Sequence, residues 1–152
     1  MKTKRTNSPE ETKHLGFELG LLLKDEEHVV LLLDGELGSG KTTLAQGIAQ
    51  GFGITDIVNS PSYTILKKYQ TPVDRRGFYH LDLYRLSSIG DDFDLEEYID
   101  GNGLVVIEWP FQVEELLPKD YMLIKIKKSG VSEREFEITC VGFPCQRAVS
   151  YI

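Results

Sequence analysis

Val29-Val30-Leu31-Leu32-Leu33-Asp34-Gly35-Glu36-Leu37-Gly38-Ser39-Gly40-Lys41-Thr42-Thr43 decides the fold. The opening apolar run, Val29 to Leu33, reads as a strand buried on both faces, the habit of a parallel sheet. Gly35 to Thr42 then matches the phosphate-loop pattern at every required position. Leu44, Ile48 and Phe52 recur at helical spacing, so a helix is expected over about 41–52, stopped by Gly53. In a strand–glycine loop–helix unit, successive backbone N–H groups turn inward around phosphate oxygens, and the helix N-terminus adds partial positive charge. Lys41 is then placed to reach terminal phosphates, and the Thr42 hydroxyl to ligate magnesium.

Working outward, Ser8-Pro9-Glu10-Glu11 is a helix start with a cap, a proline at the first position and a capping box. Leu15, Leu19, Leu22 and Leu23 give that helix one apolar face. On the other side, Ser60 to Tyr69 begins as a loop and becomes a strand. Asp74 to Gly77 is a turn, and Phe78 to Arg85 is the return strand of an antiparallel hairpin. On that strand His80, Asp82 and Tyr84 share one face and Tyr79, Leu81 and Leu83 the other. A short acidic helix ends at Gly101-Asn102-Gly103, and Leu104 to Ile107 is a second buried strand, closed by Glu108-Trp109-Pro110. A short helix over Val113 to Leu117 precedes strands over Tyr121 to Lys127 and Arg134 to Val141, and the last ten residues read as a tail.

Composition bounds the rest. The chain has 152 residues, 41% of them hydrophobic and 27% charged, enough for one domain with a buried core. Its net charge of -7 argues against a grip on nucleic acid by this chain alone. The acidity is local: residues 82–120 carry eleven acids against two bases, a net of -9, which leaves +2 for the remainder. The apolar runs are far too short for a membrane span, and MKTKRTNSPEE has no apolar core of a secretory signal. Cys140 and Cys145 fit neither a zinc spacing nor a disulfide framework, so a cytoplasmic home is expected.

A phosphate loop that binds magnesium needs a second acid, commonly at the end of a neighbouring apolar strand. Glu108, directly after Leu104 to Ile107, is the candidate. Asp82 sits among aromatic residues, where a carboxylate is costly unless paired or functional. It is read as a group that orients water, contacts the magnesium shell, or pairs with Arg85 or His80. His80 is weighed equally as a hydrogen-bonded packing residue and as a functional one, and Trp109 as core or lid. Ser60-Pro61-Ser62-Tyr63-Thr64 lies where switch proteins place a nucleotide-sensing loop. Arg85 and Arg134 are read as either transition-state cations or solvated side chains.

Together these residues resemble the TsaE family, formerly called YjeE, over about residues 11–141. Thr12-Lys13-His14-Leu15-Gly16 is similar to its N-terminal signature and Gly35 to Thr43 to its phosphate loop with a double threonine. Ser60 to Thr64 is similar to its switch, with Ser62 in place of a threonine. His80 to Leu86 and Ile107-Glu108-Trp109-Pro110 resemble the two remaining signatures. The resemblance implies that Gly38, Ser39, Gly40, Lys41, Thr42 and Thr43 wrap the phosphates of ATP, with Thr12 near the adenine and Arg134 approaching the nucleotide. It implies Thr42 and Glu108 as magnesium ligands, Asp82 as a residue needed for hydrolysis, and Ser60, Ser62 and Thr64 as a switch. It also implies partners, TsaD and TsaB, that transfer a threonylcarbamoyl group to tRNA, so that tRNA contact is indirect.

The expected fold is therefore an α/β, P-loop NTPase-like three-layer domain with a mixed, partly parallel β-sheet. Residues 1–152 form a single domain, with about 143–152 as a C-terminal tail. The expected activity is a magnesium-dependent ATPase, slow without partners. Two rivals are a small-molecule kinase on the same loop, for which 152 residues leave little room for an acceptor pocket and lid, and a nucleotide-gated binding module.

Overall fold

The apolar run from Val29 sits at the centre of a seven-stranded sheet in the computed structural model of the chain, which describes residues 1–36, 38–56, 58, 66–83, 103–109, 117–142 and 144–152. The strands are β1 (Lys2–Thr6), β2 (His28–Gly35), β3 (Leu66–Gln70), β4 (Gly77–Asp82), β5 (Gly103–Glu108), β6 (Tyr121–Lys128) and β7 (Arg134–Val141). Their spatial order is β1-β7-β6-β2-β5-β4-β3. β2 runs parallel to both β5 and β6, and β4 runs parallel to β5. The two edges are antiparallel: β3 pairs with β4, β7 with β6, and β1 with β7. The mixed sheet, the central parallel strands and the β3–β4 hairpin agree with the sequence reading.

Two helices lie on one face of this sheet, α1 (Pro9–Leu23) and α2 (Lys41–Phe52). The start of α1 is as the sequence spells it: the Ser8 side chain accepts from the Glu11 backbone N–H at 3.1 Å, with Pro9 in the first turn. α2 ends at Gly53, whose φ of 112° suits a residue without a Cβ and whose N–H closes the last turn. The main core lies between these helices and the sheet, with Leu19, Leu31, Leu33, Leu44, Ile48, Phe52 and Val106 buried. A second cluster, Val30, Leu32, Leu81, Leu83, Val105 and Ile107, occupies the opposite face. Strands apolar on both faces are what a central parallel position demands.

The two helices touch backbone to backbone. A Cβ added to Gly16 or Gly20 of α1 would lie 2.4 Å from the Leu44 carbonyl oxygen or 2.2 Å from that of Ile48. Reciprocally, a Cβ on Gly47 or Gly51 of α2 would lie 2.1 Å from the carbonyl oxygen of Lys13 or of Phe17. Glycines four apart on each helix thus form one seam, which clamps the helix that follows the phosphate loop against the helix that carries Thr12.

Three features differ from the sequence reading. β1 was not anticipated, because Lys2 to Thr6 has no apolar periodicity; it forms by backbone pairing to the edge strand β7. The expected tail instead contains a short helix, α3 (Gln146–Tyr151), with Ala148, Val149 and Ile152 buried in the main core. Cys140 and Cys145, expected to stay unpaired, form a disulfide. Gly142 turns the chain with a φ of 90°, bringing the two Cα atoms to 5.6 Å, within bridging range. The acidic helix expected before Gly101 lies outside the described residues, as does most of the one expected over 113–117. No helix among the described residues is long and apolar enough to cross a membrane.

Helix propensity and packing make opposite forecasts for the seam. Propensity favours alanine over glycine in a helix by about 1 kcal/mol. The 2.1 Å approach at Gly47 reverses that sign. Gly47→Ala is expected to lower stability in urea denaturation by at least about 1 kcal/mol; a gain would contradict the seam. Opening the short loop closed by Cys140–Cys145 is expected to cost about 2 kcal/mol by chain entropy. Thermal melting with and without dithiothreitol checks this, with a Cys140→Ser, Cys145→Ser double variant expected to be insensitive to the reductant.

Candidate functional site

The phosphate loop starts where β2 leaves the sheet. A Cβ on Gly35 would lie 2.7 Å from Ser39 Oγ and 3.0 Å from the Ile126 carbonyl oxygen, so the loop folds back in space that only glycine leaves. Gly38 and Gly40 have φ of 75° and 104°, and Ser39 N–H donates to the Glu36 carbonyl at 3.0 Å. Arg134, at the start of β7, braces the outside of the turn. Its Nε donates to the Ser39 carbonyl at 3.0 Å and its Nη2 to the Gly38 carbonyl at 3.3 Å, while Nη1 reaches the carbonyls of Val131 and Glu133. In a trans peptide the N–H points opposite the C=O, so holding the Ser39 carbonyl outward turns the Gly40 N–H the other way. Arg134 thus contacts the loop through the backbone carbonyls of Gly38 and Ser39.

Thr12 arrives from α1. It is buried, its Oγ1 hydrogen-bonds Thr6 Oγ1 of β1 at 2.7 Å, and its Cγ2 lies 3.9 Å from a Cβ built on Gly40. Thr42 and Thr43, both half-buried, occupy the first turn of α2 directly after Lys41. The Ser39 side chain is 1% exposed and its Oγ has no hydrogen-bond partner among the described residues. A buried hydroxyl of this kind, beside two left-handed glycines and a helix N-terminus, suits the oxygen atoms of a bound phosphate group.

Register brings the acids to the loop. Parallel pairing sets Leu33 opposite Glu108 and Glu108 opposite Asp82, one row across the carboxyl ends of β2, β5 and β4. Asp82 therefore ends its strand rather than sitting in the middle of it. Glu108 is 3% exposed, and its Oε2 lies 2.5 Å from Nε2 of the fully buried His80. The sequence reading allowed His80 as one of several partners for Asp82; the structure pairs His80 with Glu108. Spacing alone could show only that His80 and Asp82 share a face, since the neighbour on β5 is set by tertiary register.

Lys41 faces this row. Its Nζ donates to the Gly35 carbonyl at 2.6 Å and stands 3.5 Å from the ring centroid of Trp109. Burial pulls the Lys41 pKa below the usual lysine value, against the opposing pull of Glu108, Asp82 and Asp34. Trp109 holds its ring there from a left-handed backbone, φ 58°, a region bulky residues rarely use. Its ring thus stacks on the lysine ammonium.

Lys128 was not singled out from the sequence, where it reads as one of several strand-end lysines. Its Nζ lies 3.2 Å from a Cβ built on Gly38. With Lys125, Lys127, Asp34, Glu36 and Trp109 it lines an open cleft of about 670 Å³ against the loop. The switch candidates Ser60, Ser62 and Thr64, together with Arg85, lie outside the described residues.

A site of this layout has relatives. Residues 6–136 match the family model described as threonylcarbamoyl adenosine biosynthesis protein TsaE. The chain is 44% identical to the tRNA threonylcarbamoyladenosine biosynthesis protein TsaE of Bacillus subtilis, over 91% of this chain and 85% of that protein. It is 36% identical to the Treponema pallidum protein of the same name, over 88% and 96% of the two chains. Among solved structures, that of Bacillus subtilis YdiB superposes with a TM-score of 0.80 at 37% identity, covering 99% of this chain and 95% of the other. A family match across most of the chain, with the fold shared by a solved relative, shows that this chain belongs to the TsaE family.

Proposed function

We propose that the chain is a magnesium-dependent ATPase that supports threonylcarbamoyladenosine modification of tRNA, working with TsaD and TsaB and touching tRNA only through them. The observation that carries the reading is the row at the strand ends, where Asp82 and Glu108 adjoin a phosphate loop whose lysine they attract. Names of relatives such as that of Bacillus subtilis supply the pathway.

In this reading Gly35 and Gly38 to Thr43 form the phosphate cradle, and Thr12 borders the nucleoside. Thr42 and Glu108 would hold magnesium, which would supply charge neutralisation to the phosphates. Lys41 gives up its loop carbonyl and neutralises charge developing on the terminal phosphate oxygens. Asp82 orients the attacking water. Its oxygen bonds to the terminal phosphorus, the bond to the ADP oxygen breaks, and the water's proton passes to the carboxylate or to phosphate. Arg134 keeps the loop carbonyls turned away from the ligand. Ser60, Ser62 and Thr64 sense the terminal phosphate, and the 1–152 chain works as one domain.

Phosphate release from ATP, measured with and without a TsaD–TsaB complex and tRNA, tests the reading. The expected result is slow basal turnover, raised by the complex with no added metabolite acceptor. Asp82→Ala is expected to lower turnover by about 100-fold or more while ATP still binds. Lys41→Ala is expected to lose binding. Full turnover in the Asp82 variant would overturn the proposed hydrolysis, and a requirement for a metabolite acceptor would point to a kinase.

A further inference from the structure

His80 is the one fully buried histidine among the described residues. It lies on β4, on the sheet face that α2 covers, two residues before Asp82. Its Nε2 is 2.5 Å from Glu108 Oε2, across the parallel β4–β5 pair. Its Nδ1 is also buried and has no hydrogen-bond partner among the described residues. A side chain used only for packing would not commonly be an imidazole here, since an apolar residue would fill the space without an orphaned nitrogen. The polarity is accounted for by what the other nitrogen touches. Against a carboxylate, which only accepts, the ring nitrogen at this contact serves as the donor. That contact is short and charge-assisted, and it is held by two strands in fixed register.

Its geometric consequence falls on Glu108. A glutamate side chain has three rotatable bonds, and one at a strand end would sample several rotamers. With Oε2 anchored to a buried ring, the carboxylate has fewer orientations open to it, and Oε1 is the oxygen that His80 does not engage. Outer hydrogen bonds to a ligating carboxylate set its direction in the same way that carboxylates set ligating histidines.

We propose that His80 is a positioning residue for Glu108, fixing the carboxylate so that Oε1 is presented to the magnesium that accompanies the nucleotide. This rests on the magnesium site proposed above. It adds a residue to that site that touches neither nucleotide nor metal. The role requires a donor at the Nε2 position and no particular ring chemistry.

The test is the ratio of the ADP dissociation constant in EDTA to that in magnesium, measured by calorimetry on the full chain. Thermal melting of each variant runs beside it. Magnesium is expected to tighten ADP binding by the wild type. His80→Met, which removes the donor, is expected to lower the ratio by about tenfold or more, as loss of an outer-shell partner commonly does. Binding in EDTA should be little changed. His80→Gln, whose amide nitrogen can stand near the Nε2 position, is expected to keep most of the ratio. Glu108→Gln is expected to abolish it, and adding His80→Met to that variant should then cost nothing more. If His80→Met does not fold, His80→Asn, polar but too short to reach Oε2, is scored in its place and is expected to lose the ratio. A wild-type ratio in His80→Met, or the same loss in His80→Gln as in His80→Met, would overturn the positioning role while leaving the magnesium site intact. A wild type insensitive to magnesium would overturn both.

Discussion

The parallel register of β2, β5 and β4 is the constraint on which the site depends. Leu33, Glu108 and Asp82 stand in one row because β2 and β4 both pair with β5 in parallel. A parallel sheet puts all its carboxyl ends on one edge, and ligands of open α/β sheets bind outside that edge. The chain leaves β2 for the phosphate loop at that edge, and both acids reach it there. A slip of one residue between β4 and β5 would send the acid to the opposite face of the sheet, because the side-chain period of a strand is two. The apolar residues on both faces of β2 and β5 resist such a slip.

The second organising contact is the glycine seam between α1 and α2. Its four glycines let the helices approach until backbone meets backbone. That approach has a functional side. α2 begins at the phosphate loop, while α1 carries Thr12, which borders Gly40. β1 completes the arrangement from below, since Thr6 hydrogen-bonds Thr12. Arg134 ties the loop to β7 on the other side. The loop is thus held by a strand, two helices and a guanidinium, and a cradle fixed in this way need not reorganise when charge arrives.

The acidity of residues 82–120 bears on the same geometry. Lys41 is buried, and burial alone would favour its neutral form. Glu108, Asp82 and Asp34 offset that, so two residues of the acidic segment help to keep the loop lysine charged. The acids and the lysine therefore belong to one electrostatic unit, built from residues distant in sequence.

Much of this was legible in the sequence where the signal was local. The Ser8 cap, the leucine face of α1, the apolar run of β2, the loop glycines and the Gly53 stop are each set by neighbours within a few residues. They gave the strand–loop–helix unit, the hairpin and the candidate acids. Other features left no local signature. β1 is polar along its length and exists only because β7 offers an unpaired edge. The Cys140–Cys145 bridge and the buried end of α3 depend on how Gly142 turns the chain back onto the core. The seam glycines are spaced four apart on both helices, but which helix they meet is a matter of packing. His80 shows the limit most directly: the sequence placed it beside Asp82 on one face, and only the pairing of β4 with β5 gave it to Glu108. Local chemistry named the groups of the site, and the long-range register of parallel strands, which no short segment encodes, decided which of them touch.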